Sequence, residues 1–279
     1  MHRHTASVIK NVVLIVLLIV AILVLVVDPL GRQRPAERES TIDRVMKRGV
    51  LRVGFSTFKP WAMKDRQGEF VGFEVDVARQ FAEDMGVDLE LVNTEWSGII
   101  PALQAGKFDI IIGGMSVTPK RNLKVNFSIP YDMSGQAVVA HRELAAGFDS
   151  LDDFNDPEVV IAVRIGATSV EAARRTMPKA RLKKFDNESF LLQELLAGNV
   201  HAVVSSAPLP RQWALTHPEK LFLPFEDTIT HEPIGFALPK GDHDTLNVVN
   251  NWIRVKKGQG WFEPRHRYWF ETLEWEKDL

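Results

Sequence analysis

The chain places an arginine where it can seize an anion. In Thr118-Pro119-Lys120-Arg121 the threonine reads as a helix cap and the proline as the first helical residue, so the free amides of that helix start and the Arg121 guanidinium serve the same space. A guanidinium is a planar fork that fits a carboxylate through two parallel hydrogen bonds. Just upstream, Gly113, Gly114 and Ser116 lack bulk and let a bound molecule approach the backbone. The same local sequence also fits an exposed arginine on a basic loop with Lys120 and Lys124. Farther along, Gly166-Ala167-Thr168 stands between a strand pattern and a helix pattern. That position suits Thr168 as a helix cap, as a hydroxyl donor to an anion, or as both.

A repeated unit must hold these groups. Residues 103–114 (LQAGKFDIIIGG) align without a gap on residues 195–206 (LLAGNVHAVVSS). In each copy an apolar helical end stops at a glycine, and a short apolar strand runs into a loop of small residues. Before the first copy, 50–55 reads as strand. Residues 74–85 then read as a helix with Val75, Ala78, Phe81, Ala82 and Met85 on one face before Gly86, and 87–92 as strand. Ser97 is expected to cap a helix carrying Pro101 and reaching Gly106, followed by a strand over 108–112. The pattern restarts after Ala140 with strands over 159–163, 181–185 and 200–204 and helices over 170–176 and 189–197. A strand over 234–238 and a helix over 246–255, ended near Gly258, complete it.

This alternation predicts an α/β protein of two lobes, each a mixed sheet flanked by helices. Lobe 1 is expected over 42–138 and 234–279 and lobe 2 over 139–233, with the chain crossing between them near 136–140 and 232–236 as a hinge. The aromatic tail over 261–275 is expected to pack on lobe 1, with contact to a membrane surface or a transporter as the other reading.

Composition narrows the functions. With 34 basic and 36 acidic side chains spread over 279 residues, there is no electrostatic footprint for nucleic acid. The absence of cysteine excludes disulfides, thiolate metal sites and cysteine nucleophiles. No glycine-rich phosphate loop, nucleophile elbow or zinc-spaced histidine pair occurs. His141, His201, His231 and His243 are scattered and read as surface or hinge residues, so no metal or cofactor is expected. At the start, residues 12–27 form an unbroken run of Val, Leu, Ile and Ala behind Arg3 and Lys10, followed by Asp28-Pro29 rather than a small-residue cleavage site. The run predicts an uncleaved membrane anchor over 1–30, a single-pass transmembrane helix with a polar linker over 31–41; a cleaved signal is the alternative.

Several blocks in register carry a resemblance. Trp96-Ser97-Gly98-Ile99-Ile100-Pro101-Ala102-Leu103, Gly106-Lys107-Phe108-Asp109, Ser116-Val117-Thr118-Pro119-Lys120-Arg121 and Phe127-Ser128-Ile129-Pro130-Tyr131 resemble the extracellular solute-binding proteins of family 3, the amino-acid-binding type. Gly68-Glu69-Phe70-Val71-Gly72-Phe73-Glu74-Val75-Asp76 adds a further block, and the likeness spans 42–270. It implies a type II periplasmic-binding-protein fold that closes on a small molecule. It also implies that Arg121 holds the ligand carboxylate, that Thr168 contacts the ligand, and that Phe58 and Trp96 line the pocket with Gly114, Ser116 and Ser206. Read alone, Phe58 and Trp96 fit a hydrophobic core equally well.

The sequence departs from the family at Ser206, where members that hold an amino acid usually place an aspartate against the ammonium. An unpaired buried ammonium costs several kcal/mol. The expected ligand is therefore a carboxylate without an α-amino group, unless Glu95, Asp186 or Glu232 substitutes. The resemblance further implies a monomer that performs no catalysis and delivers its solute to an ABC permease, on the periplasmic face of the inner membrane or free in the periplasm. A sensing domain for a membrane partner is an alternative. A cyclohexadienyl-dehydratase-like enzyme is another, but the general acid it needs is absent from 205–211.

Overall fold

The computed structural model describes residues 12–22, 39–272 and 274–278. The chain divides into two units, residues 1–39 and 40–279. In the first, residues 12–22 are helical. No helix of the described residues is long and apolar enough to cross a membrane, so the expected transmembrane helix is not met there. The rest of the 12–27 run, and positions 31–38 of the expected linker, lie outside the described residues.

The second unit opens on the helix Thr41–Arg48, started by Ser40 and Asp43 in a reciprocal capping box and stopped by Gly49. Strand β1 (Val50–Phe55) follows, then the small hairpin of β2 (Met63–Lys64) and β3 (Phe70–Val71), the helix Phe73–Met85 and β4 (Asp88–Asn93). A 3-10 turn Trp96–Gly98 leads into the helix Ile99–Gln104 and β5 (Ile110–Ile111). Ser97 therefore lies inside the turn and does not cap the helix; Gly98 occupies the cap position without a side-chain bond. After the helix Pro119–Asn122 come β6 (Asn126–Phe127), β7 (Asp132–Ser134) and β8 (Gln136–His141). Then β9 (Val160–Arg164), β10 (Arg181–Phe185) and β11 (Ala202–Ser206) alternate with the helices Ser169–Thr176 and Glu188–Leu196. The helix Leu209–Thr216, β12 (Leu221–Phe222), β13 (Glu232–Ile234), β14 (Ala237–Leu238) and the helix His243–Gly258 follow.

Two five-stranded sheets result, ordered β4-β1-β5-β14-β6 and β10-β9-β11-β8-β12. Position by position they are alike. The first three strands of each run parallel, and the fourth pairs antiparallel with both its neighbours. The strands that follow the repeated glycines, β5 and β11, occupy the same central place in their sheets, and Gly106 and Gly198 both turn the chain at left-handed φ, 70° and 71°.

The two sheets are joined by an antiparallel ribbon that pairs β7 with β13. The first crossing is thus Asp132–Ser134, upstream of the expected 136–140, which pairs along its length inside the second sheet. Strand β14 returns the chain to the first sheet, where Phe262, Trp269 and Trp275 of the tail are buried among Phe81, Phe236 and Trp252. Each of these tail tryptophans has its N–H paired, Trp269 with Asp76 Oδ2 at 2.8 Å and Trp275 with the Thr272 carbonyl at 3.1 Å.

Candidate functional site

The carboxyl ends of the parallel strands of both sheets face one another. From the first sheet, Ser56 and Phe58 follow β1, Trp96 follows β4, and Gly114 and Ser116 follow β5. From the second, Arg164 ends β9, Thr168 follows it, Glu188 follows β10 and Ser206 ends β11. Such strand ends are where open α/β sheets take ligands, because the loops there vary while the sheet stays fixed. All seven residues singled out from the sequence, Phe58, Trp96, Gly114, Ser116, Arg121, Thr168 and Ser206, line one cavity of about 30 Å³. Arg164 and Glu188, which sequence reading missed, line it as well.

Arg121 is held across the gap. Thr118 caps its short helix, accepting from the Arg121 N–H at 3.2 Å, and Pro119 takes the first helical place. The guanidinium donates to the Ser116 carbonyl at 2.8 Å on its own side and to the Gly166 carbonyl at 3.0 Å on the other. The Trp96 indole N–H reaches the same Gly166 oxygen at 3.2 Å. Gly166 sits at φ 75°, and a Cβ there would lie 3.3 Å from the Ser97 Cα, so a bare backbone is what permits the approach.

Thr168 does not cap its helix, although it occupies the cap position. Its hydroxyl instead donates to Glu232 Oε2 at 2.6 Å, and the Ser116 hydroxyl donates to the same oxygen at 2.5 Å. The other carboxylate oxygen accepts from the Thr230 hydroxyl at 2.9 Å. Gln136, fully buried, sets its amide nitrogen 2.9 Å from Ser206 Oγ, 3.1 Å from Thr168 Oγ1 and 3.4 Å from Glu232 Oε2. The acid missing at Ser206 is therefore matched by one from the crossing strand β13. Of the three substitutes named from the sequence, Glu95 and Asp186 have exposed side chains, and only Glu232 joins this network.

A second cluster stands beside the first. Arg164 is 5% exposed; its guanidinium donates to the Ser56 hydroxyl at 2.7 Å and to the Asp186 carbonyl at 3.1 Å. The guanidinium carbons of Arg121 and Arg164 lie 5.6 and 5.7 Å from the centre of the Trp96 ring. Burial lowers the pKa of both, opposed at Arg121 by Glu232 and Glu171 and at Arg164 by Glu188, Glu95 and Asp186. Glu188, reached by the Ser205 hydroxyl at 3.2 Å, has its pKa pushed by burial up to about 7, with Arg164 and Ser205 pulling the other way. Phe58 packs against the hydrophobic clusters of both sheets. Among the described residues no cluster suited to a metal ion occurs.

Two sheets of like topology, joined by a crossing ribbon and meeting at a polar cleft, define a type II periplasmic-binding-protein fold. The chain belongs to the bacterial extracellular solute-binding proteins, family 3, whose profile matches residues 51–272. Among curated relatives, the cyclohexadienyl dehydratase of Pseudomonas aeruginosa is 28% identical over 84% of this chain and 87% of its own length. The L-cystine-binding protein TcyJ of Escherichia coli is 26% identical over 83% and 86%. Among solved structures, an ABC-transporter binding component from Wolinella succinogenes, complexed with lysine, is 37% identical with a TM-score of 0.77, covering 82% of this chain and 99% of that one. An ancestral amino acid-binding protein, a precursor of cyclohexadienyl dehydratase, is 42% identical with a TM-score of 0.75, covering 83% and 99%.

Proposed function

We propose that this protein captures a small α-amino acid outside the cytoplasm and hands it to an ABC-type permease. Two lobes, one around each sheet with the ribbon of β7 and β13 between them, close on the solute, with the apolar run at 12–27 as the tether to the membrane. One observation carries the reading: Arg121, which lines the shared cavity, spends its guanidinium on two backbone carbonyls, one from each side. A ligand carboxylate offers stronger, charge-assisted partners for that fork. Thr168 and Ser206 supply hydroxyls from the opposite side, Phe58 and Trp96 pack on the ligand's apolar part, and Glu232 accepts the ammonium that Ser206 cannot. The small cavity volume supports a cycle in which the lobes part to admit the guest and close over it.

The test is calorimetry of the full chain against α-amino acids and their deaminated analogues. Arg121→Gln is expected to weaken binding of every carboxylate at least about 100-fold, from loss of two charge-assisted bonds, and Glu232→Gln to weaken amino acids while sparing the deaminated analogues. Unchanged affinity in Arg121→Gln would overturn the proposal.

A second reading, a dehydratase like the Pseudomonas relative, is favoured by Glu188, a cleft carboxyl that retains its proton near neutrality as a general acid must. Loss of water from a cyclohexadienyl substrate, abolished by Glu188→Gln, would put this reading first. The dehydratase reading stands second because the neighbouring Arg164 guanidinium lowers the Glu188 pKa, against the retained proton a general acid needs.

A further inference from the structure

We infer that Arg164 receives a second carboxylate, so that the preferred guest is an acidic amino acid, a small molecule with an anionic group at each end. This rests on the reading of the cleft as an amino-acid site and names its substrate class.

Arg164 is among the most buried charged side chains of the molecule, yet every hydrogen bond of its guanidinium among the described residues goes to a neutral oxygen. A buried cation without an ion pair is costly to keep. Its orientation is nevertheless fixed. The Asp186 carbonyl holds Nε from one side and the Ser56 hydroxyl holds one terminal nitrogen from the other, which aims the rest of the fork at the cavity it lines. Arg121 is arranged likewise, on carbonyls alone. Both guanidiniums flank one indole ring, Trp96, so a single small molecule lying against that ring reaches both.

The charges then balance in one way. Glu232 is the acid that the cleft's hydroxyls converge on, and it answers an ammonium. Arg121 answers the α-carboxylate. Among the described residues Glu188 is the only acid that lines the cavity, and burial pushes its pKa up to about 7 while Arg164 and Ser205 pull the other way. Arg121 and Arg164 thus each take one carboxylate and Glu232 the ammonium, which describes a guest of one net negative charge. An amide side chain offers the Arg164 fork only another neutral oxygen. A cationic one places like charges together in a space of low dielectric, where repulsion is several times stronger than in water.

Calorimetry on the full chain near pH 7, with glutamate and aspartate against glutamine, asparagine and lysine, tests this. The acids are expected to bind at least about 10-fold more tightly than their amides, the discrimination a single charge-assisted contact provides. Arg164→Gln is expected to erase that preference, lowering acid affinity at least about 10-fold while amides change by less than about threefold. Arg164→Lys keeps the buried charge without the fork; it retains a reduced preference for acids and covers the case in which the glutamine variant does not fold. The inference is overturned if the wild type binds an amide or lysine as tightly as the acids, or if both variants lose acids and amides equally. Either result leaves the amino-acid reading standing. That reading fails separately, if no α-amino acid binds or if Arg121→Gln binds as well as wild type.

Discussion

Glu74 keeps a carboxyl where water does not reach. It is 1% exposed, and the Tyr131 hydroxyl lies 2.7 Å from each of its oxygens. Burial, with Asp132 adding to it, pushes its pKa from an ordinary 4.5 up to about 8, against hydrogen bonds from Tyr131 and the Gly114 backbone. The folded pKa is the higher one, so the folded state binds the extra proton. The stability this contributes is complete below about pH 4.5 and is lost as pH rises toward 8. Glu74→Gln keeps a neutral partner for Tyr131. The wild type should lose melting temperature between about pH 5 and 8 relative to that variant; parallel profiles would show that Glu74 does not titrate in this window. At this scale the sequence exposed residues whose neighbours already form a motif, as Thr118, Pro119 and Arg121 do. Arg164 and Glu188 have no such frame. They come together because β9 and β10 pair in register, and an acid at a helix start reads as a partner for the helix dipole. Thr168 misled for a related reason: its local chance to cap yields to a carboxylate 64 positions away.

Single side chains also tie whole elements together. Asp242 caps the helix His243–Gly258 by accepting from the Thr245 N–H at 3.1 Å, and its other oxygen accepts from the Thr41 N–H at 2.7 Å, at the start of the helix Thr41–Arg48. The Thr245 hydroxyl accepts from the next amide, Ile42, at 2.9 Å. Two helix starts thus share one acid, and the first helix of the fold is fastened to one of the last. A lost cap costs about 0.5–2 kcal/mol. Asp242→Ala removes one cap and the acceptor of the Thr41 N–H, for an expected loss of about 2–3 kcal/mol in denaturant unfolding, while Asp242→Asn, which can still accept, should cost less than half of that. Equal losses would mean that charge, not acceptance, is what matters. Elements bounded by glycine or a capping residue were legible in the sequence, and the repeated unit located both central strands. The crossing ribbon was not. Asp132-Met133-Ser134 is short, partly exposed and lacks an apolar run, whereas the buried strand at Gln136–His141 carries one and was mistaken for it. Ser97 failed as a cap because the chain tightens into a 3-10 turn before the helix begins.

Across the whole molecule, the two sheet units are held closed by a small number of polar bonds. Arg121 and Trp96 share the Gly166 carbonyl, Thr168 meets Glu232 on the crossing strand, and Arg164 donates to Ser56. Most of these groups also line the cavity, so altering them confounds closure with contact. Ser56 offers a cleaner test: it is buried, donates nothing to the proposed guest and is not part of the lining. A hydrogen bond to a charged group is worth about 1.5–3 kcal/mol, so Ser56→Ala should shift the ligand-free equilibrium toward the open form by roughly tenfold or more. A guest that binds the closed form then binds more weakly by the fraction of molecules still able to close, without losing a contact of its own. Small-angle X-ray scattering should give Ser56→Ala a larger radius of gyration than wild type when ligand-free. With saturating ligand the two should become equal, and the affinity loss should match the shift in population. A variant that scatters like wild type without ligand yet binds more weakly would mean that Ser56 orients Arg164 and does not latch the lobes.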